Sequence, residues 1–464
     1  MLIERAVAKA LAPFERSKSC VFIALSAGID STVLLHAAAQ VCSSSGHALK
    51  AIHVHHGLSG NANDWAKHAE HLCEKLSQCF SIEIECIVEK VQLNQKREGL
   101  EQAARSARYG AFLKHCQSSD VLLQGHHLDD QIETFFMRAI RGSGLTGLAS
   151  IPKQRPLSRA NACQIMRPLL AFEKTQLIDY AKKNQLVWVE DESNQDSALD
   201  RNWWRNTLLP QIWQRYPERK KSLSRTIENV QHEQQLLQSL LQGHLNTSDT
   251  ISVRDGDIPI HTALKHIPSF DLSLLQELNP ATILSYLRAW LAQYIDILPS
   301  SIQMQSIYAE MILAKEDSEP QVRWSTFCLC RYRDCLYLLK DCTSNTSIAQ
   351  TDFYKPIHWQ GQNLKDFGGQ LTCKKQSSGH CLIPGNYVIR CWQPGDVAKP
   401  AGRSTRKMKK WWQDYKVPGW IRQQWPLIII EETNEIVAVP GLFICEGYMT
   451  PQNQLGWLLS YKVI

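Results

Sequence analysis

The stretch Cys20-Val21-Phe22-Ile23-Ala24-Leu25-Ser26-Ala27-Gly28-Ile29-Asp30-Ser31-Thr32-Val33-Leu34-Leu35 decides the fold. Cys20 to Leu25 is a short apolar run of strand length, a polar loop follows, and Val33 to Ala39 reads as helix. This order sets the loop Ser26 to Ser31 at a helix N-terminus, where backbone N–H groups and the helix dipole favour a bound phosphate. Gly28 lets the backbone approach closely, and Ser26 and Ser31 offer hydroxyl donors. Asp30 is a carboxylate among groups suited to an anion, and its simplest use is to hold a magnesium ion bridging to phosphate. The competing use is plain capping by Asp30 or Ser31. No G-x-x-x-x-G-K-[ST] sequence occurs, so the loop is not of the Walker type. Gly142-Ser143-Gly144-Leu145-Thr146-Gly147 matches G-x-G-x-x-G but follows a helix instead of a strand, which speaks against a dinucleotide site.

Outward from the loop, strand and helix signals alternate. Ala51 to Val54, Ile82 to Val88 and Val121 to Leu123 read as strands; Ala66 to Cys79 and Glu101 to Cys116 read as helices. The βαβα order predicts an α/β fold, a parallel sheet with helices on both faces, whose ligands sit at the carboxyl ends of the strands. With 464 residues the chain exceeds one core. After Pro217 the pattern shifts to a basic start at Arg219, Lys220, Lys221 and Arg225 and then to long helices. Beyond the polar stretch Asp341 to Ser347 strand signals return. The reading is a catalytic domain over 1–216, a helical middle domain over 217–340 and a small α+β C-terminal domain over 348–464.

The net charge of +6 suits a polyanionic partner without requiring one. Met1 to Val7 reads as a short amphipathic helix with an early acid, not as a signal peptide. No run of eighteen apolar residues occurs, so the expectation is a cytoplasmic protein with no membrane partner. The cysteines number 15, an odd count, and suit burial in a reducing compartment. Cys328, Cys330 and Cys335 lie in an alternating, strand-like segment, where burial is preferred to a zinc site.

A second polar motif, His126-His127-Leu128-Asp129-Asp130-Gln131-Ile132-Glu133-Thr134, follows the strand ending near Gln124 and belongs to the same carboxyl edge. On the helix that runs on to Arg141, Asp130 and Glu133 share a face, as do Asp129 and Glu133. Paired carboxylates can bind a metal or a cationic substrate, and His126 or His127 can move a proton or hold phosphate. In His53-Val54-His55-His56-Gly57, alternation splits the imidazoles, which argues structural or nucleotide-adjacent roles. Glu101, Arg105 and Arg108 share a helical face, and Arg105 is the candidate phosphate contact. Arg403, Arg406, Lys407, Lys409 and Lys410 form a basic patch before Trp411 and Trp412. Basic residues there would contact phosphates and the aromatics could stack on bases, while both tryptophans are expected at least partly in the core.

Ser26 to Ser31 resembles the Ser-Gly-Gly-x-Asp-Ser loop of the N-type ATP pyrophosphatases, with Ala27 where that superfamily usually has glycine. If the backbone there needs φ > 0, alanine costs about 1 kcal/mol. Ile52 to Leu58, His126 to Thr134, Arg138 with Arg141 to Leu148, Arg167 to Leu170, Glu190 to Asn194 with Arg201, Asn202 and Arg205, Arg406 to Trp412 and Val439 to Phe443 are similar to the tRNA(Ile)-lysidine synthetases. That resemblance implies ATP and Mg2+ as co-substrate and cofactor, with Asp30 as the metal partner. It implies adenylation of the wobble cytidine in the CAU anticodon of tRNA(Ile), then attack by free L-lysine, switching codon reading from AUG to AUA. It further implies Asp130 and Glu133 for lysine, Arg205 near the active site, and the C-terminal basic patch for tRNA. Two alternatives are a related cytidine thiolase, which would need catalytic cysteines, and a non-catalytic RNA-binding protein with a degenerate loop. No C-x-x-C pair flanks the candidate site, and Asp30, Ser31, Asp130 and Glu133 are all intact.

Overall fold

In the computed structural model of the chain, the opening apolar run is strand β1 (Cys20–Ala24), buried on both faces at its centre. The structure describes residues 2–15, 18–57, 59–92, 100–190, 200–246, 264, 267–295, 297–315, 318, 320–340, 356–366, 369–377, 380–451 and 453–463. These form two compact units, Met1–Leu237 and Gln238–Ile464.

In the first unit, α1 (Leu2–Leu11) precedes β1, and α2 (Ile29–Ser45), β2 (Ala48–His55), α3 (Ala62–Phe80), β3 (Ile84–Lys90), α4 (Leu100–His115) and β4 (Val121–Leu123) follow. Then come α5 (Leu128–Ile140), α6 (Leu145–Leu148), β5 (Gln154–Pro156), β6 (Gln164–Met166), α7 (Lys174–Lys183), α8 (Asp200–Trp203), a π turn at Trp204–Leu208, α9 (Leu209–Arg215) and α10 (Arg219–Asn246), whose residues from Gln238 on belong to the second unit. The sheet order is β3-β2-β1-β4-β6-β5, parallel except for β5 at its edge. Alternation along β1 explains the two covered faces. Val21 and Ile23 pack with α1, α2 and α7, whereas Phe22 packs with Phe112 of α4, Leu122 and Ile165. The chain leaves β1 for β2 on one side and returns to β4 on the other. This switch point opens a crevice at the carboxyl ends of β1 and β4, where both polar motifs begin.

In the second unit, the region read as helical holds helices at Pro280–Tyr294 and Ser301–Ile307, and it also carries an antiparallel sheet. Strands β7 (Ser269–Asp271), β8 (Gln321–Trp324), β9 (Phe327–Tyr332) and β10 (Cys335–Lys340) run in the order β7-β10-β9-β8. Leu287, Trp290, Leu329 and Leu336 join helix and sheet in one core. Cys328 and Cys330 are buried on β9 with sulfurs 3.6 Å apart. The C-terminal part is built from antiparallel sheets around Met408, Trp411, Trp412 and Trp425. No described helix is long and apolar enough to cross a membrane.

Candidate active site

The loop after β1 is a knot of short hydrogen bonds. The Ser31 hydroxyl donates to the Gly28 carbonyl at 3.0 Å and accepts from the Ser26 amide at 3.2 Å. The two serine hydroxyls lie 3.1 Å apart. Gly28 is the N-cap of α2 and brings no side-chain cap, so Asp30 and Ser31 lie inside the first turn and do not cap it. The helix N-terminus therefore keeps its amide donors for an anion. Ala27 has φ +66°, in the left-handed region, and its methyl is fully buried. Its carbonyl accepts from the Val189 amide at 3.0 Å and from the Thr32 hydroxyl at 3.4 Å, which pins the strained residue.

The second motif meets this loop directly. Gly125 lies where a Cβ would stand 3.1 Å from the Asp30 carbonyl carbon and oxygen and 3.2 Å from the Ser31 nitrogen. A neighbouring side chain would push the two loops apart, and no local sequence pattern marks this glycine for the role. Asp130 turns back to cap its own helix, its Oδ2 accepting from the His127 amide at 3.0 Å.

Lys174, the first residue of α7, places Nζ 2.6 Å from Asp30 Oδ1. Its amide also donates to Asp129 Oδ2 at 2.9 Å, and Lys220 Nζ reaches Asp129 Oδ1 at 3.0 Å. Neither lysine carries a motif; each looks in sequence like a solvated helix-start residue, and only the fold brings it to the edge.

Arg201 and Arg205 both close on the carboxylate pair. Arg201 donates through Nε to Glu133 Oε2 at 2.9 Å and through Nη2 to Asp130 Oδ1 at 2.8 Å. Arg205 donates through Nε to Glu133 Oε1 at 2.6 Å and through Nη2 to Asp130 Oδ1 at 3.0 Å. Four residues apart on their helix, they match carboxylates three apart on α5. Phe136 stacked on Trp204, with ring centroids 5.5 Å apart, holds the two helices together.

Burial opposes ionisation of Asp130, but the positive charges of His127 and Arg201 outweigh it and hold the carboxyl at about 2. Nearby positive charge thus lowers the proton affinity of this carboxylate. His127 lies 3.5 Å from Asp129 and Asp130 and 3.7 Å from Asp30. Burial lowers its pKa, yet those carboxylates push it above the ordinary value. Burial drives His126 the other way, to about 3, so its imidazole is neutral. Its Nδ1 accepts from Arg167 Nε at 3.2 Å, which leaves Nε2 as the proton-bearing atom. Arg167 also donates to Gln124 Oε1 at 2.9 Å.

Arg105 is exposed on α4 and shares the Tyr109 ring with Arg155, their guanidinium carbons 5.1 and 5.0 Å from its centroid. His53 is buried and bonded to the Leu25 carbonyl at 3.0 Å, a structural role. In the second unit Arg403, Arg406, Lys407, Lys409 and Lys410 are all exposed. Trp411 and Trp412 are core, with Trp411 Nε1 donating to the Ala398 carbonyl at 3.0 Å. They support the basic patch and present no face for stacking. Leu58, Asp191 to Asn194, the stretch 341–347 and the side chain of Glu101 lie outside the described residues.

An uncapped helix start at the switch point of a parallel sheet defines the class, a PP-loop domain, and the family model of that description matches residues 2–212. Models described as the TilS substrate binding domain and the TilS substrate C-terminal domain match 270–337 and 388–461. The chain is 36% identical over 445 residues to a tRNA(Ile)-lysidine synthase of Haemophilus influenzae strain PittGG, covering 91% of this chain and 94% of that one. It is 35% identical to the tRNA(Ile)-lysidine synthase of Photobacterium profundum, over 94% of this chain and 95% of that one, and 32% identical to that of Coxiella burnetii, over 95% and 93%. The chain belongs to the tRNA(Ile)-lysidine synthase family.

Proposed function

We propose that this enzyme joins free L-lysine to the wobble cytidine of the CAU anticodon of tRNA(Ile), through an adenylated tRNA intermediate, so that the tRNA reads AUA in place of AUG. In the first step the cytidine 2-carbonyl oxygen attacks the α-phosphorus of ATP and pyrophosphate leaves. In the second the lysine ε-amine attacks C2 and AMP leaves with the oxygen. The carrying observation is the placement of the Asp130 and Glu133 carboxylates on the same sheet edge as the phosphate loop, within one crevice. A paired anionic site suits the lysine ammonium, and an uncapped helix start suits the pyrophosphate. The name shared by the relatives supports the same reading.

Ser26, Ala27, Gly28, Ile29, Asp30 and Ser31 would cradle the phosphates. Asp30 would offer magnesium its Oδ2, since Lys174 holds Oδ1, and one carboxylate beside a phosphate site is an arrangement that ion commonly takes. Bound there, magnesium would neutralise charge on the departing pyrophosphate. Neutral His126 would donate a hydrogen bond from Nε2, and Arg205 would face the phosphate charge. Along the chain, residues 1–216 would carry the chemistry. Residues 217–340 and 348–464 would hold the tRNA, with Arg105, Arg403, Arg406, Lys407, Lys409 and Lys410 as phosphate contacts.

The test is pyrophosphate release from ATP with tRNA(Ile) and lysine varied, alongside incorporation of labelled lysine into the tRNA. Release and incorporation that both require the tRNA are expected. Release that ignores tRNA, with no lysine incorporated, would refute the reading.

A further inference from the structure

The carboxylate pair assigned to lysine has a donor on each of its four oxygens. Arg201 and Arg205 supply Asp130 Oδ1 and both Glu133 oxygens, and the His127 amide supplies Asp130 Oδ2. Two anions face two guanidinium ions, so this quartet is balanced. Glu133 is 1% exposed and Asp130 7%. A further cation entering beside them would leave net positive charge in a poorly hydrated place, which is costly. It would also have to take an oxygen from a forked guanidinium, the stronger kind of ion pair. Of the neighbouring carboxylates among the described residues, Asp30 is engaged by Lys174, and Asp129 and Glu173 by Lys220.

The arginines have room that the carboxylates lack. Their side chains are each 36% exposed, on the open side of the pair. They flank the start of the π turn Trp204–Leu208, a rare form of helix that occurs mostly as single turns and frequently at functional sites. An anion in the adjacent loop offers guanidinium groups the same forked partner as a carboxylate. An arginine drawn onto phosphate would leave one carboxylate charge unmatched, and the lysine ammonium restores the balance.

We propose that Arg201 and Arg205 are positioning residues that hold Asp130 and Glu133 until phosphate draws a guanidinium away, which makes lysine binding conditional on the nucleotide and the tRNA. The order protects the chemistry, because the amine enters only once the leaving group is in place. This rests on the function proposed above.

L-lysine is titrated calorimetrically into the full-length enzyme, alone and with α,β-methylene ATP plus tRNA(Ile). Affinity at least tenfold tighter with both present is expected. Arg201→Gln, alone, should bind lysine at least tenfold tighter than wild type alone, whereas Arg201→Lys, which keeps the charge, should not. Equal wild-type affinity in the two conditions overturns the inference, as does an Arg201→Gln enzyme, folded by circular dichroism, that binds no tighter. If Arg201→Gln does not fold, the two wild-type titrations decide. Labelled-lysine incorporation into tRNA(Ile) is measured on the same preparation. Incorporation together with equal affinities sinks the inference alone; no incorporation sinks the function and the inference with it.

Discussion

Ala27 shows how two small terms nearly cancel. A left-handed backbone costs alanine about 1–2 kcal/mol. Its buried methyl returns about 0.8 kcal/mol, and the reduced freedom of the unfolded chain relative to glycine returns a similar amount. Ala27→Gly should therefore shift the unfolding free energy in urea by less than about 1 kcal/mol. Ala27→Val, β-branched at positive φ and larger than its buried site, should cost about 2 kcal/mol or more. The residue was legible in the sequence as a departure from glycine; the angle that sets its cost needed the fold. Asp130 gives a pH signature. Its pKa is held at about 2, below its ordinary 3.8, so its ionisation stabilises the folded chain fully above 3.8. That contribution is lost as pH falls through 2. Asp130→Asn should flatten this acid limb in a melting-temperature series while abolishing lysine transfer and leaving tRNA affinity near normal. His127 is shifted upward, so its contribution is present below 6.5 and lost as pH rises through its folded value. His127→Gln should remove that alkaline fall, read in the same series.

Two strand ends and two helix starts make the crevice, and Gly125 sets how closely they meet. Gly125→Ala places a methyl 3.1 Å from the Asp30 backbone, and a helix turn yields less readily than a side chain. Pyrophosphate release should fall at least tenfold while the melting temperature drops only a few degrees; wild-type release would show that the loops tolerate separation. The strands themselves were legible because each is an apolar run bounded by polar loops. The start of α2 was harder to read, since Gly28 caps it without a side chain and the helix begins at Ile29, not Val33. Of the β7-β10-β9-β8 sheet, the alternating segment with Cys328, Cys330 and Cys335 was legible as strand, whereas β7 and β8, of three and four residues, were masked by stronger helix signals around them. Lys174 and Arg201 were least legible as partners, because pairing with Asp30 and Glu133, 144 and 68 residues away, leaves no local pattern.

At the scale of the whole molecule, charge and chemistry occupy different parts of the chain. The crevice groups belong to the first unit, whereas the exposed Arg403, Arg406, Lys407, Lys409 and Lys410 belong to the second. Lys409 and Lys410 lie on a short helix, Met408–Asp414, whose apolar side is locked into the core by Trp411 and Trp412. Its lysines can thus be changed without disturbing packing, and removing one phosphate-binding cation should lower the salt slope of RNA binding by about 0.7–0.9. The double change Lys409→Glu with Lys410→Glu should weaken tRNA(Ile) binding at least tenfold and reduce that slope by about 1.4–1.8, with the affinity for an ATP analogue and the melting temperature essentially retained. Filter binding across a salt series reads the slope, and calorimetry reads the nucleotide. A variant that binds tRNA as tightly as wild type, with an unchanged slope, would remove these two lysines from the RNA-binding surface and leave Arg403 and Arg406, each packed beside the Trp411 ring, as the residues to test.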